Sequence, residues 1–589
     1  TGTRVNEDYL IEDVPYNFVI NSEEFSSSNY TKSGVSVVSN DIIAPNGTLT
    51  ADKIVEDTSN GAHQIFDAVT TNSGNFTNSI MVKAAGRTKI RLNSGSNSHR
   101  VDFDLSTATK SNEVGATGSI VSVSDGWYRC IVSWNNTTPA AQYLFIALLD
   151  NSGNTSYTGD GSSGVYIWGG QLVKGDQPKD YLKTTDRLDI PRIDYTNGEP
   201  SILLEPSRTN LQVFSTELNN ALGSGSPPIT SNVTTSPENL QNADKISQTL
   251  TSLYQSRFST ITITAGKTWT RSIFAKKDTG NWMYLQHYDG ITNNGAYFDL
   301  DNGVIGTVKS GVTARMVAYP NGWYRCSVTN TPNASATTER IQVALVDADN
   351  ASANKTGNGT GIFIYGAQLE EGSYATSLIH TSGSAVTRSA DAANNAGNSD
   401  LFNDSEGVLY AEMKALADDL TNRGITISDG SVNNRVTMFY TNVSNAIQVK
   451  VVVGGVNSLN SFIAISNTSE YNKFALKFKQ NDFSLFVNGV ELIADSSGNT
   501  FANGTLTELA FDRGDGAEDF YGNTKSVMVF KEALTDLELE KLTGYNNHEL
   551  YMNYYNRLSY LGLVEEYNVE SDINNYILWY QVYYKYQVL

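Results

Sequence analysis

The sequence predicts a mainly β protein: two tandem jelly-roll β-sandwiches, a third β-sandwich, and a short C-terminal α-helical segment. Three observations predict it. Gly126-Trp127-Tyr128-Arg129-Cys130 returns as Gly322-Trp323-Tyr324-Arg325-Cys326, an interval about the size of one compact domain. The flanks return in the same order: Ala51-Asp52-Lys53-Ile54 as Ala243-Asp244-Lys245-Ile246, Phe103-Asp104-Leu105 as Phe298-Asp299-Leu300, and Gly169-Gly170-Gln171-Leu172 as Gly366-Ala367-Gln368-Leu369. Charged residues are only 17%, while Asn, Ser, Thr and Gly crowd the turns between short apolar runs, which is the texture of all-β structure.

In chain order, residues 1–14 read as a polar arm carrying Glu7, Asp8, Glu12 and Asp13. The chain opens Thr1-Gly2-Thr3, without Met or a signal-peptide pattern, and reads as a processed or truncated product. Residues 15–185 form the first jelly-roll module. Its strand candidates are Ser79–Lys83, Ser119–Val123, Leu144–Leu148 and Val165–Trp168, bounded by Gly, Asn and Asp. Residues 186–208 read as a connector, with three of the chain's 12 prolines. Residues 209–390 repeat the module, and residues 391–545 form the third sandwich.

The grammar of that third unit is local. Lys473–Phe478 and Phe483–Val487 are strands around the turn Gln480-Asn481-Asp482, and Asn488-Gly489 is a strong hairpin signal that returns the chain into Val490-Glu491-Leu492. Thr535-x-x-Glu538 is a capping box that starts a short helix, Asp536–Leu542. Residues 546–589 read as an aromatic helical tail, and eleven of the 32 tyrosines fall from Tyr545 onward. Within it Tyr554, Ile573, Ile577, Trp579 and Tyr580 are the expected assembly residues, through which the chain meets other proteins or copies of itself.

A net charge of −21 argues against nucleic acid, whose binders need Lys and Arg to displace counterions, and equally against anionic membranes. No run of about 18 apolar residues exists, so no membrane insertion is expected. Cys130 and Cys326 occupy one repeat position and read as free, buried thiols. No strand of residues 400–545 carries alternating carboxylates of the glucanase kind, and no catalytic triad elbow or phosphate loop appears, so the chain is expected not to be an enzyme.

Trp127 and Trp323 lie in the strongest repeat and read as core. Aromatics that vary between the copies are the candidate sugar platforms: Trp134 and Tyr143 in the first, and Trp282, Tyr284 and Tyr288 in the second. Asp512, Asp515, Glu518 and Asp519 are the candidate ligands of a structural Ca²⁺, the one cofactor considered. Arg513-Gly514-Asp515 spells an integrin-ligand tripeptide but reads as a turn.

Gly-Ile-Phe-Ile-Tyr-Gly-Ala-Gln-Leu-Glu-Glu-Gly-Ser-Tyr-Ala-Thr-Ser (361–377), with Thr387-Arg388-Ser389-Ala390-Asp391, resembles modules that recur in bacteriophage tail, fibre and other virion proteins. Ile202-Leu203-Leu204-Glu205-Pro206-Ser207-Arg208-Thr209-Asn210-Leu211 resembles the joint between such modules, which are similar to carbohydrate-binding jelly rolls. The third unit, with Phe486-Val487-Asn488-Gly489-Val490 and Phe530-Lys531-Glu532-Ala533-Leu534-Thr535-Asp536, resembles concanavalin A-like, laminin-G-type sandwiches. The resemblance implies a virion-surface fibre or capsid decoration protein that binds surface glycans weakly. A secreted bacterial polysaccharide-binding protein, or the accessory region of a glycosidase, is the alternative. The first copy has Val173-Lys174 where the second has Glu370-Glu371; if those carboxylates serve a cation or ligand, the first copy is purely structural.

Overall fold

Short strands with alternating inward apolar residues dominate the computed structural model, which describes residues 2–71, 74–94, 98–137, 140–185, 192–196 and 198–544. The aromatic tail, with Tyr554, Ile573, Ile577, Trp579 and Tyr580, lies outside the described residues. The chain forms two units: residues 15–191, and residues 1–14 together with 192 onward. Among the described residues no helix is long and apolar enough to cross a membrane.

Residues 15–191 build the first jelly roll from two six-stranded antiparallel sheets. Its A sheet runs in the order Thr109–Val114, Arg100–Asp104, Lys89–Asn93, Ala140–Leu149, Gln64–Thr71, Thr31–Ser33. Its B sheet runs Thr117–Ser122, Tyr128–Asn136, Gly74–Ala85, Gly164–Lys174, Ala51–Glu56, Val35–Ile42. Ile80, Val82, Leu92, Val101, Phe103, Leu144 and Ile146 fill the space between them.

The second jelly roll repeats this plan within the other unit. Its A sheet is Ser224–Gly225, Ser256–Thr262, Thr338–Val346, Trp282–Tyr288, Asn293–Asp299, Val304–Val308, and its B sheet runs from Ile229–Thr234 to the edge strand Val312–Tyr319. The duplication extends to individual hydrogen bonds. Asn17 Nδ2 donates to the carbonyls of Gly170 and Leu182 while its Oδ1 accepts from the backbone of Val19 and Leu172. Asn210 does the same with Ala367, Ile379, Gln212 and Leu369. Asp52 accepts from the backbone N–H of Phe25 and Asn40, and Asp244 from those of Leu218 and Asn232. The Arg of each Gly-Trp-Tyr-Arg-Cys block bonds a strand serine and a loop carbonyl: Ser79 and Lys179 for Arg129, Ser272 and Thr376 for Arg325. The repeated residues are therefore those whose side chains satisfy buried backbone groups, a role that few other residue types fill.

Trp127 and Trp323 are 2% and 1% exposed, each in an apolar cluster outside the main sandwich core, and Cys130 and Cys326 are buried free thiols. Glu370 of the second copy is fully buried and accepts from Gln368 Nε2 and from the backbone and hydroxyl of Thr376, so it fastens a loop.

The segment read as a polar arm is a β-hairpin, Thr3–Val5 with Ile11–Asp13, that closes an apolar patch of the second jelly roll. Val5 and Ile11 bury against Phe274, Trp323, Tyr365 and Leu378. His380 ties it down, with Nε2 2.5 Å from Glu238 and Nδ1 3.5 Å from Asp13. Burial alone lowers the imidazole pKa, but these two carboxylates overcome it and raise the value to about 10.

The third sandwich has a seven-stranded sheet, Ile193–Asp194, Ser201–Leu204, Gly522–Phe530, Glu406–Ala415, Asn472–Lys479, Phe483–Val487, Val490–Asp495, over a five-stranded one. The stretch read as a connector thus supplies its first two strands: Ile202, Leu203 and Leu204 pair with Thr524, Asn523 and Gly522. The Asn488-Gly489 turn has φ of 49° and 87°, the left-handed pair that a two-residue hairpin requires. Thr535 and Glu538 form the capping box of helix Asp536–Thr543.

The joint motif is a buried charge clamp. Glu205 accepts from the hydroxyl and backbone of Ser377 at 2.7 and 2.8 Å, and from Arg192 at 2.7 Å, and it pairs with Arg388. Arg192 also reaches Asp391 at 2.5 Å. Burial pushes the Glu205 carboxyl up, yet Arg192 and Arg388 hold it down to about 2.

Candidate functional site

The A sheet of each jelly roll turns one face to the core and one outward, and strand alternation decides which side chain goes where. In the second module Met283, Leu285, Phe298, Ile341 and Val343 point inward. Trp282, Tyr284, Gln286 and Tyr288 therefore share the outward face, beside Tyr297, Asn293, Arg340, Gln342, Ser256 and Phe258 on neighbouring strands.

This outward face has two halves. In one, Tyr284 stacks on Tyr297 with ring centroids 4.1 Å apart and planes 8° from parallel. Ala351 and Ala353 cover the pair, Tyr297 Oη donates to the Ala351 carbonyl, and half-buried Trp282 packs against the same cluster. Tyr284 is 6% exposed, so it is a loop support and not the open platform that the sequence suggested.

The other half is polar, with a floor in which Gln286 is 1% exposed. Tyr254, 37% exposed, donates its hydroxyl to Gln286 Oε1 at 2.8 Å. Gln286 Nε2 donates to Asn293 Oδ1, and Gln342 Nε2 to Ser256 Oγ, both at 2.9 Å. Gln342 is 4% exposed and its Oε1 accepts from no protein group. Beside this amide floor the Arg340 guanidinium lies 4.1 Å from the Phe258 ring centre and 4.5 Å from that of Tyr288. Buried Glu339 positions this wall by accepting from the backbone N–H of Tyr288 and Arg340.

The first module carries a different set on the matching strands. Phe66 and Phe145 are cross-strand partners stacked at 5.3 Å and 7°, with Tyr143 edge-on to Phe66 at 5.7 Å. The register that pairs Tyr284 with Tyr297 pairs Arg91 with Asp102 here, in a two-pronged ion pair at 2.6 and 2.9 Å. Asn112 also donates to Asp102. Tyr143 is thus on the outward face.

Trp134 is not on it. It is 4% exposed in the sandwich core, where its Nε1 donates to Gln142 Oε1 at 2.8 Å. The second module fills the same layer with Asn330, Glu339 and Arg271, whose carboxylate and guanidinium lie 3.6 Å apart. Variation between the copies at Trp134 therefore records an exchanged core layer. The residues that sequence reasoning missed are Phe66, Phe145, Tyr254, Phe258, Gln286, Arg340 and Gln342. Gln286 was reachable by alternation from Trp282 and Tyr284, and Phe66 by its place in an apolar strand.

The acidic loop of the third sandwich does not gather its carboxylates. Arg513 pairs with Asp515 at 2.8 Å and with Glu518 at 3.2 Å, Asp519 accepts from Tyr521 Oη, and Asp512 accepts from the Gly514 backbone. A Ca²⁺ ligand set needs carboxylate oxygens around one point. Here Arg513 engages two of the four candidates, and no group of three metal-ligating side chains converges among the described residues. The Arg-Gly-Asp turn is folded back on the sheet. A Cβ at Gly514, where φ is +96°, would lie 3.1 Å from the Thr426 side chain and 3.2 Å from that of Ser428.

No family model and no curated protein matches the chain. Several solved structures are similar to it. A tandem pair of family-22 carbohydrate-binding modules from Paenibacillus barcinonensis Xyn10C aligns at 11% identity over 62% of this chain and 99% of its own, with a TM-score of 0.20. The family-40 module of a Ruminococcus gnavus sialidase, bound to α2,6-sialyllactose, aligns at 17% over 24% and 85%, with a TM-score of 0.20. Mouse laminin α1 domains LG4-5 align at 9% over 53% and 94%, with a TM-score of 0.18. Scores this low leave the weight on the chain's own geometry.

Proposed function

We propose that this chain is a non-enzymatic glycan-binding protein whose two jelly rolls each offer the outward face of the A sheet to a sugar. The observation that carries the reading is the polar floor of the second module, edged by the exposed Tyr254. Gln286, Gln342 and Asn293 present amide donors and acceptors there, beside the Tyr254 ring and the Phe258–Arg340–Tyr288 stack. Such a floor bonds hydroxyl groups while the aromatic faces take the apolar C–H side of a pyranose. The unpaired Gln342 Oε1 supports it, because a buried acceptor costs free energy unless something donates to it. The first module adds an aromatic row, Tyr143, Phe66 and Phe145.

The particle setting in this proposal is a phage virion surface, supported by the sequence resemblance. Weak sites suffice there, since tethering many copies raises avidity by roughly 10²–10⁴. Residues 545–589 supply the attachment to other virion proteins or to copies of this chain, a reading supported by their apolar composition. The third sandwich then acts as a spacer, and no Ca²⁺ is needed for sugar binding.

Affinity electrophoresis through gels containing a panel of bacterial polysaccharides tests the proposal. At least one polysaccharide is expected to retard the protein, with Gln342→Ala and Phe145→Ala each weakening retardation about tenfold or more, the scale of one lost buried hydrogen bond or stacked ring. No reducing ends are expected to appear. Mobility that no polysaccharide alters, or retardation indifferent to both substitutions, contradicts the reading.

A further inference from the structure

Each jelly roll carries an apolar patch on the outer face of its B sheet, and the two patches are built from matching positions. In the second module Phe274, Trp323, Tyr365 and Leu378 lie beneath the hairpin of residues 3–13, whose Val5 and Ile11 close the cluster. In the first, Met81, Trp127, Trp168 and Tyr181 hold those positions. Register and bonding set the match. Met81 pairs with Trp168 as Phe274 pairs with Tyr365. Tyr181 and Leu378 each precede the residue whose carbonyl accepts from Asn17 or Asn210.

The cover over the two patches differs. Phe274, Tyr365 and Leu378 are at most 1% exposed. Their counterparts Met81 and Tyr181 are only half-buried, as is Tyr166 beside them. Trp168 is held from one side, where its Nε1 donates to Thr50 Oγ1 at 3.0 Å. The loop before Thr50 adds Ala44 to the cluster and also presents Ile43 and Leu49, which are 62% and 59% exposed. A contiguous apolar patch on a domain surface marks a place where another element packs.

The joints show which kind of element fits. The hairpin of residues 3–13 precedes the first jelly roll in the chain yet docks on the second. The strands Ile193–Asp194 and Ser201–Leu204 precede the second jelly roll yet complete a sheet of the third sandwich. Each hairpin passes over the module it precedes and fastens the one that follows. Among the described residues the first jelly roll receives no such hairpin.

We infer that the outer B-sheet patch of the first jelly roll, Met81, Tyr166, Trp168 and Tyr181, is the docking site for a β-hairpin like that of residues 3–13, supplied by a second polypeptide chain. Such a hairpin sets two apolar side chains, at the positions of Val5 and Ile11, onto the patch. In the second module the Ile11 N–H also donates to the Pro237 carbonyl at 3.0 Å, and the Thr3 hydroxyl to the Leu378 carbonyl at 2.8 Å. The matching carbonyls in the first module are those of Pro45 and Tyr181. Pro45 stands in a turn of the same form, since Gly47 N–H bonds the Ala44 carbonyl as Asn239 N–H bonds that of Ser236. Burial of the two side chains favours docking and ordering of the hairpin opposes it, which makes the contact reversible.

The patch lies on the B sheet and the sugar reading on the A sheet, so the two fail separately. A synthetic peptide with the sequence of residues 1–14, bearing a fluorophore at one end and a photoreactive group at the other, is titrated into the full chain. Anisotropy is expected to saturate in the millimolar range or tighter, with photo-cross-links mapping to residues 42–50 and 166–182. Met81→Asp in the protein and Ile11→Asp in the peptide should each weaken binding about tenfold or more, the scale of one lost apolar contact. The peptide variant reads the same contact without touching the protein's fold. The inference is overturned if binding does not saturate in that range, if cross-links map only to the second jelly roll, or if either variant, the protein being folded by circular dichroism, binds as the parent does.

Discussion

Replacing Glu205 with Gln is expected to lower the unfolding free energy of the unit holding the second jelly roll and third sandwich by about 3–5 kcal/mol, the cost of stripping one partner from a buried ion pair. Glu205 is 3% exposed between Arg192 and Arg388, so its loss leaves buried Arg388 without its carboxylate and Arg192 with Asp391 alone. Calorimetry resolves the effect, because the transition of residues 15–191, which carry their own core, is expected not to move. The pH dependence has a definite sign. The carboxyl falls from 4.5 to about 2 on folding, so its contribution is complete above pH 4.5 and disappears as pH drops from 4.5 toward 2. A shift of that size is worth about 3 kcal/mol. Asp391 works in the opposite direction, since burial, ahead of the lowering by Arg192, raises its pKa. The difference between parent and variant across this window isolates the Glu205 part. Parallel acid unfolding curves would show that the clamp carries no net energy.

Trp323→Ala is expected to cost about 3–5 kcal/mol, the range for deleting a fully buried large aromatic side chain. The indole packs under Val5 and Ile11 and donates Nε1–H to the Thr235 carbonyl at 3.1 Å. The variant should therefore also release the hairpin of residues 3–13, detected as faster amide exchange at Val5 and Ile11. Loss of global stability with an unchanged hairpin would place the tryptophan's contribution in the sheet alone.

What the sequence makes legible here follows from physical locality and from repetition. The Asn488-Gly489 turn and the Thr535–Glu538 cap are closed by neighbours within a few residues, so their signals are short and strong. The duplicated Asn, Asp, Gln and Arg residues stand out because each bonds backbone groups that leave no freedom of side-chain type. Ser201–Leu204 was opaque as a strand because its partner, Gly522–Phe530, lies hundreds of residues downstream. The polar set on the outward A-sheet face was harder still. Gln286 and Gln342 are ordinary polar residues until cross-strand register puts them side by side, whereas Trp134 caught the eye for a reason that belongs to the core. The acidic loop shows the same limit, since spacing alone does not reveal that Arg513 stands among the carboxylates.

The most direct measurement is a crystal structure of the full chain with the oligosaccharide that best retards it. The account predicts a sugar on the outward A-sheet face of the second jelly roll, its hydroxyl groups within hydrogen-bond distance of Gln286 and Gln342 Oε1 and a ring against Tyr254 or Tyr288. A sugar bound instead on the third sandwich, with both A-sheet faces bare at saturating ligand, would contradict it.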